Sequence, residues 1–409
     1  MTRGNGGQAG AAHAKGVSQM FRLSMYLKGI IRGCRHEPRA ARGDAARAAP
    51  MVIWNLTRRC NLACAHCYAA AKDRPFHGEL STAQARAVIE QLRNIESPVV
   101  IFSGGEPLLR PGLFELAAHA RGLGQPIALS TNGALIDETM AWRVASAGFG
   151  YVGISLDGLR ETHDRFRGMP GAFDLSVNAM RLLKARGVKV GARFTLTRAT
   201  VADLPGVFEL CEQLGVDKLY LSHLVYSGRG QANRDGDLTP PETRRVMEFV
   251  VERALRYVKE NYPLSIVTGN NDADGVFTYL TLARIEPDLA DRILPLLWRW
   301  GGASAGVGVA NIDPLGEVHP DPLMSNVSLG NVTQKSFGEI WYRSCNSTLA
   351  RLRKRPRTFN GRCGRCAWLD MCGGSVRVRA LRAQNDLWGS DPACYLTDEE
   401  IGAVAAHAT

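Results

Sequence analysis

No stretch of the sequence approaches the run of about 20 apolar residues that a membrane-spanning helix needs, so no transmembrane anchor of that kind is expected. Residues 1–20 are Gly- and Ala-rich and polar, without a continuous apolar segment, and do not read as a secretory signal peptide. The expected location is cytoplasmic, with no membrane partner. The chain also lacks helix-turn-helix, zinc-finger and RNA-recognition signatures, so no nucleic acid partner is expected despite a net charge of +11. No internal repeat is visible beyond a strand–helix alternation, and no low-complexity tract follows residue 50.

What remains is an ordinary globular composition, 45% hydrophobic and 22% charged, in 409 residues. A chain of that length buries a core without disulfide staples. Its ten cysteines, in a reducing compartment, read as metal ligands or catalytic groups before disulfides. The positive charge is dispersed, densest in the first fifty residues and at 351–357. It suits an anionic small molecule, or simply reflects an arginine-rich composition.

Four regions are expected. Residues 1–50 read as a basic, flexible arm, with a short helix at 20–31 packing on the main domain's surface. From residue 51, β-rich runs at 52–56, 98–102, 126–130, 151–155, 189–195 and 218–221 alternate with amphipathic segments at 82–95, 113–121, 138–147, 172–186 and 204–214. Gly122, Gly148, Gly187 and Gly215 end helices. Six such units predict parallel strands, right-handed crossovers and an open, partial (β/α)6 barrel over 51–235. Residues 236–300 read as an irregular or helical connector, and 301–409 as a cysteine-rich domain.

The unusual residues fall just after the strands. Cys60–Cys67 follows the first, Gly104-Gly105-Glu106-Pro107 the second, Ser130-Thr131-Asn132-Gly133 the third, Ser155-Leu156-Asp157-Gly158 the fourth and Ser222-His223 the sixth. Active sites of parallel barrels form at that rim.

Cys60-x3-Cys64-x2-Cys67 places three thiolates on one short loop. They can hold three irons of a 4Fe–4S cluster and leave the fourth iron open. Zinc would want a fourth protein ligand, for which His66 is the nearby candidate. This spacing, in the loop after the first strand of a partial barrel, resembles the radical S-adenosylmethionine (radical SAM) family, over about residues 51–225. The resemblance implies that the open iron chelates SAM, whose reductive cleavage gives a 5′-deoxyadenosyl radical that abstracts hydrogen. Gly104, Gly105, Glu106 and Pro107 match the family's GGEP motif, implying that Glu106 accepts from the methionine ammonium. Ser130, Asn132, Ser155 and Asp157 sit where the family contacts SAM ribose or carboxylate, although an Asx-turn or a helix cap explains each as well. Arg193 is placed to meet the SAM carboxylate, with a structural salt bridge as the alternative.

Cys363-x2-Cys366-x5-Cys372 followed by Cys394 would close a site with four thiolates. The set resembles the auxiliary-cluster tail of the SPASM/twitch subfamily, implying a second 4Fe–4S cluster; structural zinc is the alternative. Gly316-Glu-Val-His-Pro is followed by Asp321 where many members carry Cys, so one auxiliary cluster is expected, with Asp321 or His319 open as an unusual ligand. Cys34, Cys211 and Cys345 have no partners in spacing; Cys211 reads as a small core residue.

Longer stretches resemble one branch, the NirJ family of haem d1 biosynthesis, from residue 20 onward. They include Val52-Ile-Trp-Asn-Leu-Thr-Arg-Arg-Cys60, the run from Gly153 to Phe166, Ser222–Gly230, Thr268–Gly275 and Arg362–Gly374. The resemblance implies removal of two propionate side chains from 12,18-didecarboxysiroheme, driven by a small electron-transfer protein such as a ferredoxin or flavodoxin. Arg193, Lys218, Arg229 and Arg234 are candidates for substrate carboxylates. His223 is the candidate catalytic residue, to ligate the substrate iron or donate a proton, with a hydrogen-bonded core histidine as the alternative. Oxidative decarboxylation to vinyls, as by a haem synthase, and peptide maturation are the competing enzyme readings. A non-enzymatic iron–sulfur or zinc scaffold is the competing reading from another class.

Overall fold

The computed structural model describes residues 20–33 and 48–402; most of the expected arm, Cys34 included, lies outside them. Strand β1 (Met20–Phe21) and helix α1 (Leu23–Arg32) come first. Then β2 (Met51–Asn55), α2 (Thr82–Asn94), β3 (Val100–Ser103), α3 (Leu113–Gly122), β4 (Ile127–Thr131) and α4 (Glu138–Ser146) alternate. They continue through β5 (Val152–Ser155), α5 (Arg160–Arg167), α6 (Ala172–Ala185), β6 (Val190–Leu196), α7 (Leu204–Gln213) and β7 (Lys218–His223). A one-turn helix α8 (Arg229–Ala232), α9 (Pro240–Lys259), β8 (Ser265–Gly269), α10 (Ala273–Ile285) and α11 (Pro287–Trp300) follow. β9 (Val309–Ile312), β10 (Glu317–His319) and β11 (Gly330–Asn331) precede short C-terminal helices.

All eleven strands form one sheet, in the order β1-β8-β7-β6-β5-β4-β3-β2-β9-β10-β11. From β2 to β8 each strand pairs in parallel with the next. Parallel neighbours need a crossover, and the intervening helices supply it. The strands from β2 to β8 therefore all end at the same rim, and the sheet is an open, partial barrel. Helix α2 shows the local logic. Ser81 and Gln84 form a capping box at its start, and Ala85, Val88, Ile89 and Leu92 bury one face at helical spacing. Burying each of the larger three stabilises by roughly 1.5–3 kcal/mol. Trp54 of β2 meets Phe102 of β3 edge-to-face at 6.2 Å inside the same core.

Two regions differ from the sequence-based expectation. The stretch 236–300 is not merely a connector. Its β8 is a seventh strand of the parallel run, buried at four of its five positions, and β9 extends the sheet beyond β2 in parallel. Ser265-Ile-Val-Thr-Gly269 is short, and its end merges into the polar run beginning at Thr268, which hid it. Residues 20–32 do not lie on the surface as an appendage. β1 pairs antiparallel with β8, the Ile266 N–H donates to Ser24 Oγ at 2.8 Å, and Leu23, Tyr26, Leu27 and Ile30 are buried. The segment covers an edge strand whose backbone would otherwise be open.

Candidate functional site

The loop from Cys60 to Cys67 leaves β2 at the rim and is held from several sides. Ala65 N–H donates to the Phe166 carbonyl at the end of α5 (3.0 Å), and Arg229 N–H to the Cys67 carbonyl (2.9 Å). The Arg229 guanidinium reaches the carbonyls of Cys64 (2.6 Å) and Ala71 (2.8 Å). Arg229, expected to face substrate carboxylates, is instead a clamp on this loop. Cys60 and Cys64 are buried and Cys67 half-buried. Burial pushes the Cys60 thiol up to about 12, with Glu106 and the other two cysteines adding to it. Such a sulfur is comfortable as a thiolate only beside positive charge, which is what a cluster iron supplies.

The GGEP loop after β3 lies directly on the chain entering that loop. Gly105 N–H donates to the Thr57 carbonyl (2.7 Å) and Glu106 N–H to the Arg59 carbonyl (2.8 Å). Gly104 has φ +136°, a conformation open mainly to glycine, and a Cβ on Gly105 would stand 2.1 Å from the Arg59 oxygen. Gly105→Ala is therefore expected to push the Thr57–Arg59 backbone away, costing at least roughly 1–3 kcal/mol. Apparent thermal unfolding and SAM affinity should both fall; wild-type SAM affinity would contradict this.

Glu106 does not face the opening. It is fully buried. Its Oε1 accepts from Thr131 Oγ1 (2.7 Å) and Leu108 N–H (3.1 Å), and its Oε2 from Asn132 N–H (2.8 Å). Burial pushes its carboxyl up to about 7, against those three donors. It fixes the end of β4, and Asn132 is the beneficiary: its side-chain amide donates to Asn61 Oδ1 (2.9 Å) and lies 3.9 Å from Cys60 Sγ. Asp157 is also fully buried. It accepts from Thr195 N–H and pairs with Arg167, while His66 lies 3.9 Å away. Burial alone would raise its carboxyl, but Arg167 and the two neighbouring histidines outweigh it and hold it below the usual range. In this structure Glu106 and Asp157 are internal fastenings of the rim, engaged with Thr131, Asn132, Thr195 and Arg167.

Ser130 and Arg193 are brought together, Arg193 Nη1 donating to Ser130 Oγ with its guanidinium 5.3 Å from the Tyr220 ring centre. Ser155 stands beside Arg193 in the β5–β6 register, and both are half-buried. Ser130, Asn132, Ser155 and Arg193 thus gather on β4–β6 near the cysteine loop. Lys218 does not join them. It opens β7, at the end away from the rim, with Nζ 4.2 Å from the Tyr151 ring centre. Arg234 lies on the surface beside Asp235.

His223 ends β7 but is buried and engaged. Its Nε2 is 3.2 Å from Asp274 Oδ2, and Tyr395 Oη donates to Asp274 Oδ1 at 2.6 Å. It belongs to a buried triad that joins β7 and α10 to the residue after Cys394. Arg167 and Tyr395 lie outside every stretch the sequence singled out, and Asn61 and Asp274 lie inside two of them, Cys60–Cys67 and Thr268–Gly275, without a role of their own.

Cys363, Cys366, Cys372 and Cys394 line one cavity, together with Arg362, Leu369 and Leu396. Arg362 Nη1 donates toward Cys394 Sγ at 3.2 Å. Burial pushes the Cys394 thiol up to about 11. Four sulfur donors around an apolar space with one cation at its edge fit an iron–sulfur cluster. Among the described residues no three Cys, His, Asp or Glu side chains converge on a single point as for one metal ion. The thiolates of a cubane each bind a different iron, so they need only surround a common space. Asp321 and His319 are not part of that cavity. Asp321 accepts from the N–H groups of Leu323 and Met324 (2.8 Å each), and His319 Nδ1 lies 2.9 Å from the Val327 carbonyl.

Residues 54–211 match the radical SAM superfamily, and residues 304–367 match SPASM, an iron–sulfur cluster-binding domain. The chain is 49% identical over 386 residues to the pre-heme d1 synthase of Dinoroseobacter shibae, covering 94% of each. It is 43% identical over 356 residues to the Fe-coproporphyrin III synthase of Methanosarcina barkeri, covering 86% of this chain and 89% of that one. Streptococcus suis SuiB bound to S-adenosylmethionine shares the fold, with a TM-score of 0.65 at 17% identity over 85% of this chain and 78% of that one. No helix among the described residues is long and apolar enough to cross a membrane.

Proposed function

The chain belongs to the radical SAM superfamily and carries a SPASM domain, and from that premise we propose that it removes two propionate side chains from 12,18-didecarboxysiroheme in haem d1 biosynthesis. It is a radical SAM enzyme with SAM and 4Fe–4S clusters as cofactors. SAM supplies a 5′-deoxyadenosyl radical; the chain's own residues hold, orient and enclose. We assign the SAM-binding cluster to Cys60, Cys64 and Cys67, and the auxiliary cluster to Cys363, Cys366, Cys372 and Cys394. Asn132, Ser130, Ser155 and Arg193 are the residues placed to meet SAM, with Gly104 and Gly105 letting the loop after β3 close onto the backbone that leads to Cys60. Glu106 and Asp157 fasten the strand ends on which those residues stand. The electron comes from a small carrier such as a ferredoxin or flavodoxin, and a net charge of +11 favours encounter with acidic carriers of that kind. The setting is cytoplasmic.

The observation that carries the substrate assignment is the likeness, over nearly the whole chain, to a pre-heme d1 synthase. It extends through both cysteine regions, so it is not a likeness of the barrel alone. His223, buried on Asp274, is assigned to the packing beneath the rim, as a fixed member of the triad with Asp274 and Tyr395 rather than a substrate ligand.

A second reading is favoured by the likeness to an Fe-coproporphyrin III synthase. Fe-coproporphyrin III keeps its propionates, so the two readings differ in which arms are lost. The test is anaerobic turnover of the reconstituted enzyme with reductant, SAM and 12,18-didecarboxysiroheme, with products read by mass spectrometry. Loss of two whole propionate arms is expected. Retention of every propionate would move the assignment to the second reading. Vinyl groups would move it to a haem synthase, and an untouched tetrapyrrole would remove it from this substrate class.

A further inference from the structure

Arg167 is the last residue of α5 and is buried, its side chain 9% exposed. The chemistry above makes no use of it. One arm of its guanidinium, Nη1, points at Cys64 Sγ across 3.6 Å. The other, Nη2, closes on Asp157 Oδ2. Asp157 is itself anchored: its carboxylate accepts from Thr195 N–H on β6, and its own N–H donates to His163 Nδ1 at 3.0 Å. The helix end cannot drift from the cysteine loop either. The Phe166 carbonyl accepts from Ala65 N–H, and a Cβ on Gly168 would stand 3.1 Å from the Ala63 carbonyl oxygen. The cation is therefore fixed on one particular sulfur. Among the described residues, by contrast, the hydrogen-bond donors at Cys60 Sγ are the Leu62 N–H (3.4 Å) and the Asn132 amide (3.9 Å), both neutral.

We propose that Arg167, oriented by Asp157, sets the reduction potential of the SAM-binding cluster through a charge-assisted hydrogen bond to the Cys64 thiolate. The inference rests on the assignment of Cys64 as a cluster ligand made above. Reduction adds one electron to the cluster and makes its sulfurs more negative. A guanidinium held in a buried setting stabilises that form more than the oxidised one, so it raises the potential. The expected size is about a tenfold change in the reduced-to-oxidised ratio at a given poise, or about 59 mV for one electron. Arg167 and Asp157 are positioning residues for the cluster, not catalytic ones.

The test is a redox titration of the holoenzyme followed by electron paramagnetic resonance, the SAM-binding cluster being recognised by the change of its signal when SAM is added. Wild type, Arg167→Met, Arg167→Lys and Asp157→Asn are compared at measured iron and sulfide content. Arg167→Met is expected to keep its iron and to be about tenfold less reduced at the wild-type midpoint. Arg167→Lys, which keeps the charge but loses the fork, should recover part of the shift. Should Arg167→Met fail to take up the cluster, Arg167→Lys and Asp157→Asn decide. A lowered potential in either supports the proposal, and wild-type potentials at full iron content in both overturn it. Separately, a Cys64→Ala protein that kept the SAM-responsive signal would sink the ligand assignment rather than the role of Arg167.

Discussion

Replacing Cys64 by alanine is expected to abolish 5′-deoxyadenosine formation while one 4Fe–4S cluster stays in the protein. Cys64 lies at the centre of the rim loop, with its carbonyl held by Arg229 and its sulfur faced by Arg167. Without that thiolate the cluster loses one of three attachments, and SAM loses the iron it binds. The second set of cysteines lines a separate cavity, bounded by α10 and the C-terminal segment, and shares no residue with the first. The reciprocal change, Cys363→Ala, should therefore remove the auxiliary cluster and spare the SAM-responsive one. Iron and sulfide analysis with paramagnetic resonance checks both. Loss of both clusters in either variant would contradict the separation into two sites.

Asp391→Ala, at the wall of the auxiliary cysteine cavity, is expected to produce the largest loss of stability of any single change outside the cysteines themselves. Arg379 and Asp391 form a bidentate pair, Nε to Oδ1 at 2.8 Å and Nη2 to Oδ2 at 2.7 Å, with side chains 0% and 1% exposed. The remaining arm of Arg379 donates to the Leu224 carbonyl (2.9 Å), just beyond β7. Removing one partner strands a buried charge and costs roughly 3–5 kcal/mol. A domain's whole stability is about 5–15 kcal/mol. Replacing both by apolar residues, Arg379→Met with Asp391→Leu, removes the stranded charge and should recover much of the loss. The readout is the denaturant midpoint of the cluster-loaded protein. An Asp391→Ala midpoint within error of wild type would show that the pair is compensated elsewhere.

The two cysteine sets, the GGEP loop and the strand–helix alternation were legible in the sequence because each is local. Spacing within eight residues puts Cys60, Cys64 and Cys67 on one loop whatever the rest of the chain does. The direction of a side chain at a strand end is not local. Whether Glu106 looks outward or onto Thr131 and Asn132 depends on how β3 and β4 align. Arg229 reads as a free cation until the fold brings it back across 165 positions to Cys64. His223 reads as a rim ligand until Asp274, 51 positions on, takes its Nε2. β8 was missed for a related reason: a five-residue strand buried in a parallel sheet shows no alternation to detect.

Hydrogen transfer from a tetrapyrrole is the central claim, and isotope transfer tests it most directly. 12,18-Didecarboxysiroheme deuterated along its propionate side chains would be turned over anaerobically with unlabelled SAM, and the 5′-deoxyadenosine examined by mass spectrometry. Deuterium in the 5′-deoxyadenosine, dependent on Cys60, Cys64 and Cys67, is the predicted result. Unlabelled 5′-deoxyadenosine, formed at the same rate with and without the tetrapyrrole, would contradict the account.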